Sequence, residues 1–361
     1  MNNDGTSNDG TSQDMSEDGT SRDQRKDDET RADLLARLRP QSFAIAYRML
    51  GTVADAEDIA QEALLRLHRE LDSGRQIDSP PAFLATVTTR LAIDQLRSAR
   101  VRREQYPGEW LPEPLIRSED DDPAHRAEIA DSLSLAFLVL LETLSPEQRA
   151  ALLLHDVFGY RYDEIGPIVG KSEQNARQLV SRARRHIEAR RPRFRSTREQ
   201  RDELAHRFFA AAQDGDVATL ETLLAHDVAL HGDGGGKAPA LARSVHGRNR
   251  VAKTLLTWFR HGRRIGFGIE LTEVNGQPGA VVRDGAGQVI SVLALDITAT
   301  GITAIRSVVN PDKLQHVQSR SAEPHPTQPH PAEPHPAEPH PTQPHPTQPH
   351  PTQPHPTQQD R

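Results

Sequence analysis

Residues 144–187 read LSPEQRAALLLHDVFGYRYDEIGPIVGKSEQNARQLVSRARRHI. Ser145 is placed to cap a helix with Pro146 at its first position, and Gln148 completes a capping box. Gly159 ends that helix, a second short one begins near Tyr162, and Gly170-Lys171-Ser172 forms the next turn. Ser172 caps a third helix, with Glu173 favourably set against its positive dipole end. Within it Ala176, Leu179, Val180, Ala183 and Ile187 recur at the spacing of a buried helical face. Lys171, Gln174, Arg177, Gln178, Ser181, Arg182 and Arg185 lie off that stripe, and such side chains pair with base edges and phosphates in a major groove. The pattern predicts a helix-turn-helix that binds DNA. Gly166-Pro167 falls inside the second helix, where proline removes a hydrogen bond, so a kinked or shortened helix is expected there. The alternative is an ordinary helical pair with a solvated basic side. The eleven basic and three acidic residues over 171–201 exceed what solubility requires.

The 361 residues are too many for one ordinary domain. The net charge of −7 is unevenly spread, since residues 1–33 hold ten acids against four bases. For DNA, a local basic face matters more than the whole-chain balance. With no cysteine, disulfides and thiolate metal sites are excluded. No apolar run approaches the ~18 residues of a membrane span, and there is no signal-peptide core, so a cytoplasmic protein without a membrane partner is expected.

Residues 1–33 are acidic and repetitive and are expected to be disordered. Residues 34–104 are helical in pattern, 105–128 form a linker broken by Pro107, Pro112, Pro114 and Pro123, and 129–195 form a second helical unit. From Thr197 helical patterns at 198–214, 216–225 and 247–261 interleave with strand-like runs at 228–232, 265–274, 280–284, 289–297 and 302–309. These predict an α+β domain over 197–316 with a curved, mostly antiparallel sheet. The tail at 317–361 repeats a proline-histidine unit every five residues and reads as an extended, solvated segment. Its seven histidines could hold a divalent metal weakly. The simpler reading is a low-complexity tail, and no metal or cofactor site is expected.

Two further helices carry possible chemistry. In DAEDIAQEALLRL, beginning at Asp55, the residues Ile59, Ala60, Ala63, Leu64 and Leu67 make a buried stripe. Asp55, Asp58, Gln61, Glu62 and Arg66 are left on the exposed side, which taken alone is only a solvated surface. In PPAFLATVTTRLAIDQLRSARVRR, beginning at Pro80, Arg90, Arg97, Arg100, Arg102 and Arg103 suit a phosphate backbone. Thr89, Asp94 and Gln95 are placed to touch bases. Phe83 is the only aromatic of that helix, so stacking on single strands is not the main interaction.

The order of these parts resembles the extracytoplasmic-function (ECF) class of the sigma-70 family of bacterial RNA polymerase sigma factors. DAEDIAQEALLRL is similar to the region that contacts the coiled coil of the largest polymerase subunit. RLAIDQLRSARVRRE resembles the region that reads the promoter −10 element, and the helix-turn-helix resembles the region that reads the −35 element. Three signatures extend the likeness to the SigJ-like subgroup with a fused SnoaL-like domain: Trp110-Leu-Pro-Glu-Pro114, Asp233-Gly-Gly-Gly-Lys237 and Asn310-Pro-Asp-Lys-Leu314. The likeness covers about residues 34–316. Departures are Ala63-Leu64, where an aromatic is frequent, and Gly166-Pro167.

The resemblance implies two all-α domains followed by an α+β domain of the SnoaL/NTF2-like kind. It implies core RNA polymerase and promoter DNA as partners, a monomer outside the holoenzyme, and a built-in regulator in place of a separate anti-sigma factor. Trp110, Asp233, Lys237, Asn310 and Asp312 are then expected to make the regulatory contact, with Trp110 as its anchor. Some SnoaL relatives are enzymes, and His231, Asp233, Lys237, His246 and Asp296 are the polar groups that could serve one. Spacing cannot make them converge. The Gly234-Gly235-Gly236 run reads most simply as a flexible turn, although its amides could cradle an anion. The expectation is a sigma factor without chemistry of its own. Its rivals are a polymerase-independent helix-turn-helix regulator and a SnoaL-type enzyme or ligand sensor with a DNA-targeting half.

Overall fold

The computed structural model describes residues 16–116, 132–189 and 196–321, with side chains at 29–98, 105–116, 132–189 and 196–318. The acidic run at 119–122 and the repeat tail from 322 lie outside them. Three helices open the fold: α1 (Ser16–Leu50), α2 (Val53–Asp72) and α3 (Pro80–Glu104). α1 enters the stretch expected to be disordered, which corrects that reading for residues 16–33. Residues 20–39 hold neither proline nor glycine and are rich in strong helix formers. Leu38 then packs with Ala63, Leu67 and Leu84, tying the three helices together. α2 buries Ile59, Ala60, Ala63 and Leu67 as its periodicity predicts, while Leu64 is only partly buried and Ala56 joins the buried face.

The second helical unit holds α4 (Leu135–Leu141), α5 (Pro146–Asp156), α6 (Tyr162–Val169) and α7 (Glu173–Glu188). Ser145 and Gln148 form the expected capping box on α5, and the Ser172 hydroxyl accepts from the Asn175 amide at 3.3 Å. The shortened second helix is present: α6 has eight residues, contains Pro167 and ends at Gly170 with φ +68°. Gly166 has a packing role, because a Cβ there would sit 2.8 Å from the Lys171 carbonyl oxygen. The turn into α7 closes directly over that glycine.

The third unit comprises α8 (Arg198–Asp214), α9 (Val217–Leu223), β1 (Leu224–Asp233), β2 (Val245–His246), α10 (Arg248–Arg264), β3 (Gly268–Val274), β4 (Gln277–Arg283), β5 (Val289–Thr298) and β6 (Gly301–Val308). A 3₁₀ turn (Pro311–Lys313) and α11 (Gln315–Ser321) follow. The sheet runs β2-β1-β6-β5-β4-β3, antiparallel except for the parallel β1–β6 pair. β1 starts at Leu224, inside the expected helix at 216–225, because Leu224 pairs with Ile302. Alternation then gives the sheet two apolar faces. Leu230, Leu293, Leu295 and Ile305 pack with Phe208, Phe209 and Leu255 under α8–α10. Val281, Val292, Ala294 and Val308 share a core with Leu111 of the linker and with buried residues of α1 and α4–α7. The linker therefore lies in the seam between sheet and helices.

Candidate nucleic-acid and polymerase interface

α7 buries Ala176, Val180, Ala183 and Ile187, with Leu179 partly covered. Lys171, Ser172, Glu173, Gln174, Arg177, Gln178, Ser181, Arg182 and Arg185 are all exposed. Two of these are restrained: Arg177 lies 3.0 Å from Glu173 and 5.1 Å above the Tyr162 ring. Arg184, which was not among the expected DNA contacts, pairs with Asp156 of α5 and so helps seat the helix.

α3 is different. Thr89 is fully buried and its hydroxyl has no hydrogen-bond partner, so the expectation that it touches a base is corrected. The adjacent Thr88 bonds Ser42 of α1 at 2.7 Å, showing that packing against α1 overrides the polar character of this face. Arg90 donates to the carbonyl oxygen of Pro167 at 2.9 Å, at the C-terminal end of α6, where unpaired carbonyls favour a cation. Arg97 donates to Glu147 of α5 at 2.8 Å and lies 3.3 Å from Asp94. That contact holds the Glu147 carboxyl below the usual carboxylate range. Gln95 is half-buried and donates to Asp55 at 3.2 Å. The side chains of Arg100, Arg102 and Arg103 lie outside the described residues. Arg149 of α5, only 3% exposed, adds a bond of 2.6 Å to the Met49 carbonyl of α1. The two helical units are in direct contact along these groups.

On α2, Asp58, Gln61 and Arg66 are exposed and Glu62 lies 2.7 Å from Arg66. Asp55 is half-buried and accepts the Thr52 hydroxyl at 2.7 Å. Leu65, 41% exposed, lies on the same arc and was missed by sequence reasoning. Its place among Asp58, Gln61 and Glu62 on a helical wheel is the signal that marks it. Thr52 makes no side-chain cap; the Val53 amide instead donates to Glu113 of the linker at 2.7 Å. Burial pushes the Glu113 carboxyl up to about 6.

The three signature segments meet at Asp233, which is fully buried. Its carboxylate accepts from the Tyr106 hydroxyl at 2.6 Å, the Leu111 amide at 2.8 Å, the Gly235 amide at 3.1 Å and the Lys313 ammonium at 2.7 Å. Lys313 also donates to the Leu111 carbonyl and lies 4.3 Å from the Trp110 ring centre. Asn310 donates to the Tyr106 hydroxyl at 2.8 Å, and Lys237 pairs with Asp312 at the rim. Burial and the neighbouring Asp233 carboxylate push the Tyr106 hydroxyl pKa well up. The glycine run is no flexible turn: Gly235 has φ +58°, and a Cβ there would lie 2.3 Å from the Asn310 amide nitrogen. Its amide does cradle an anion, and that anion is the chain's own Asp233. Trp110 reaches the end of α1, where a Cβ on Gly51 would lie 2.9 Å from the indole.

Sequence reasoning missed Tyr106, Glu109, Glu113, Asn275 and Lys313. Asn275, with φ +51°, ties the linker to α1 and to the residues just before α4. It accepts the Leu115 amide at 2.8 Å and donates to the Tyr47 hydroxyl at 2.7 Å and the Leu133 carbonyl at 3.0 Å. The Asn275-Gly276 pair between two strand-like runs is a hairpin signal that could have found it. Glu109 lies 2.7 Å from His231 and 2.9 Å from Ser244. Those hydrogen bonds hold its carboxyl low against the opposing effect of burial.

The five polar groups that could serve an enzyme do not converge. His231 faces Glu109, Asp233 and Lys237 are in the clamp, Asp296 pairs with Arg306 at 2.8 Å, and His246 is exposed on β2. The third unit has a cavity of about 210 Å³ beside α8, lined by Arg201, His206, Phe209, Leu271 and Gln277 among others, and none of the five reaches it.

No helix among the described residues is long and apolar enough to cross a membrane. Residues 34–102 match sigma-70 region 2, and residues 134–187 match sigma-70 region 4. The chain is 38% identical over 298 residues to the ECF RNA polymerase sigma factor SigJ of Mycobacterium tuberculosis, covering 80% of this chain and 95% of that one. It is 33% identical over 282 residues to the probable ECF RNA polymerase sigma factor SigI of the same species, covering 76% and 91%. The crystal structure of M. tuberculosis SigJ superposes with a TM-score of 0.63 at 35% identity, over 78% of this chain and 97% of that one. With two helical units in the sigma order and relatives matched over nearly their whole length, the chain belongs to the ECF sigma factors of the sigma-70 family, and its function is promoter-directed transcription initiation with RNA polymerase.

Proposed function

We propose that the chain divides this task among units at residues 34–104, 129–195 and 197–316, with 105–128 as the connecting linker. α2 docks on the coiled coil of the largest polymerase subunit through Asp58, Gln61, Glu62 and Arg66, with Asp55 ordering its first turn. α3 meets the −10 element through Asp94, Arg97 and the basic residues toward its end. α7 enters the −35 major groove with Gln174, Arg177 and Gln178, while Lys171, Arg182 and Arg185 hold phosphates. The observation that carries this reading is the fully open polar face of α7 opposite its buried stripe.

The third unit is the built-in regulator. Support comes from the linker, which caps α2 through Glu113 and is itself clamped by Asp233, Lys313 and Asn275. In that arrangement a separate anti-sigma factor is not required. The chain works as a cytoplasmic monomer until it joins polymerase, and it carries out no chemistry of its own. A polymerase-independent regulator would bind its operator alone. An enzyme would need converging acid and base groups, and the candidates lie apart.

Run-off transcription with core polymerase tests the proposal, using the full chain, Asp233→Ala, and chains ending before Asn310 and before Thr197. Core-dependent transcripts that change in amount among these proteins are expected. Identical behaviour of all four would refute the regulatory role, and no transcript from any promoter would refute the division of DNA reading.

A further inference from the structure

α10 has an amphipathic plan that the sigma function does not use. It buries Val251, Ala252, Leu255, Leu256, Phe259 and Gly262 against the third unit's core. The opposite arc carries Arg250, Lys253, Thr257, Arg260, His261 and Arg264, all exposed. At 100° per residue these six fall within about one quadrant of the helix. The helix contains no aspartate or glutamate at all. Some exposed arginines elsewhere lie against carboxylates, as with Arg66–Glu62 and Arg97–Glu147, whereas Arg182 and Arg185 of the proposed −35 reader, like this stripe, have no ion pair among the described residues. Arg250, Lys253, Arg260 and Arg264 have no ion-pair partner among the described residues. In a chain of net charge −7, four such neighbours on one line are a concentrated field.

We infer that the outer stripe of α10 is a second, sequence-independent DNA contact, which holds the phosphate backbone of promoter DNA when the chain sits on polymerase. Fourteen residues separate Arg250 from Arg264, which at the helical rise is about 21 Å, the length of roughly six base pairs. Charge complementarity commits the surface to a polyanion. The stripe contains no apolar residue, whereas the centre of a protein–protein interface is built from aromatic and aliphatic anchors. A regularly charged, fully solvated backbone therefore suits it better than an acidic protein does. The inference goes beyond the two sigma readers, because neither α3 nor α7 takes part in it.

The test uses holoenzyme assembled from the full chain and core polymerase, with fluorescence anisotropy of a promoter duplex and of a scrambled duplex across about 50–200 mM KCl. Replacing Arg250, Lys253, Arg260 and Arg264 by Glu should reduce the slope of log K against log salt by about 2–4, since each neutralised phosphate contributes about 0.9. Affinity should fall at least tenfold at the low-salt end, equally for both duplexes. The milder pair Lys253→Gln and Arg260→Gln should give the same sign at about half the slope change. Replacing the three arginines by Lys should leave the slope as it was. An unchanged slope in the charge-reversed protein, with its circular dichroism intact, overturns the inference. So does loss of core-polymerase association without DNA while the slope holds, which would assign the stripe to an acidic protein surface. Core-dependent run-off by the unaltered chain is read separately, so failure here leaves the sigma function standing.

Discussion

α7 and α3 are the two helices proposed to read DNA, and the fold treats them in opposite ways. α7 presents its whole polar face to solvent. α3 has Thr89 sealed in the bundle, Arg90 on the end of α6 and Arg97 on α5. The proposed −35 reader is thus open as the chain stands, whereas Arg90 and Arg97 of the proposed −10 reader are engaged with the second helical unit. Beneath these polar pairs the two units share an apolar core and the buried Arg149–Met49 bond, so parting them would cost far more than the exposed pairs alone. The buried clamp on the linker adds a further restraint.

The most damaging way to break this contrast is Asp233→Ala, which leaves Lys313 buried without its counter-charge. Urea unfolding should show a loss of about 3–5 kcal/mol. A loss under about 1 kcal/mol would mean the clamp is not what holds the linker. On the open side, Gln178→Ala should cost about 1–3 kcal/mol of preference at one base pair of the −35 element, without weakening scrambled DNA. Uniform weakening would instead make Gln178 a backbone contact.

Glu113 sharpens the comparison through pH. Its folded value of about 6 exceeds the ordinary 4.5, so the folded chain keeps a proton that the unfolded chain releases. Stability from this group therefore falls as pH rises from 4.5 to about 6 and stays level above. Glu113→Gln should flatten that window and add about 1–2 kcal/mol at neutral pH, as measured by urea unfolding on either side of it. The smallest effect belongs to Arg97→Ala. It removes an exposed pair worth about 0–1 kcal/mol, and faster amide exchange in α3 with α7 unaltered is the expected signature. Equal acceleration in both helices would erase the asymmetry.

Local signals account for what was legible beforehand. The capping box on α5, the Ser172 cap and the turn at Gly170 depend on residues within a few positions of one another, and each stands where the sequence places it. The readings that failed depend on distant neighbours. Thr89 was expected to touch a base and is sealed inside the helical bundle, and the glycine run looked loose until Asn310 and Tyr106 closed over it. Lys313 was present in a quoted signature, but its value as a buried counter-charge depends on Asp233, on a different strand end. Nothing within either segment encodes that meeting. The parallel β1–β6 pairing brings it about by setting Asp233 beside Val308.

Lys313 reaches the Leu111 carbonyl across 202 positions of sequence. At bacterial elongation rates of roughly 5–20 residues per second, that distance corresponds to roughly 10–40 s of synthesis. For the last 118 of those positions, roughly 6–24 s, both helical units have already been made, while the lysine that closes the linker has yet to be added to the chain. Every copy of the protein is therefore born unclamped and acquires its restraint last. On the proposed regulatory role of the third unit, the order of its segments leaves each new chain outside that control for a time set by the ribosome.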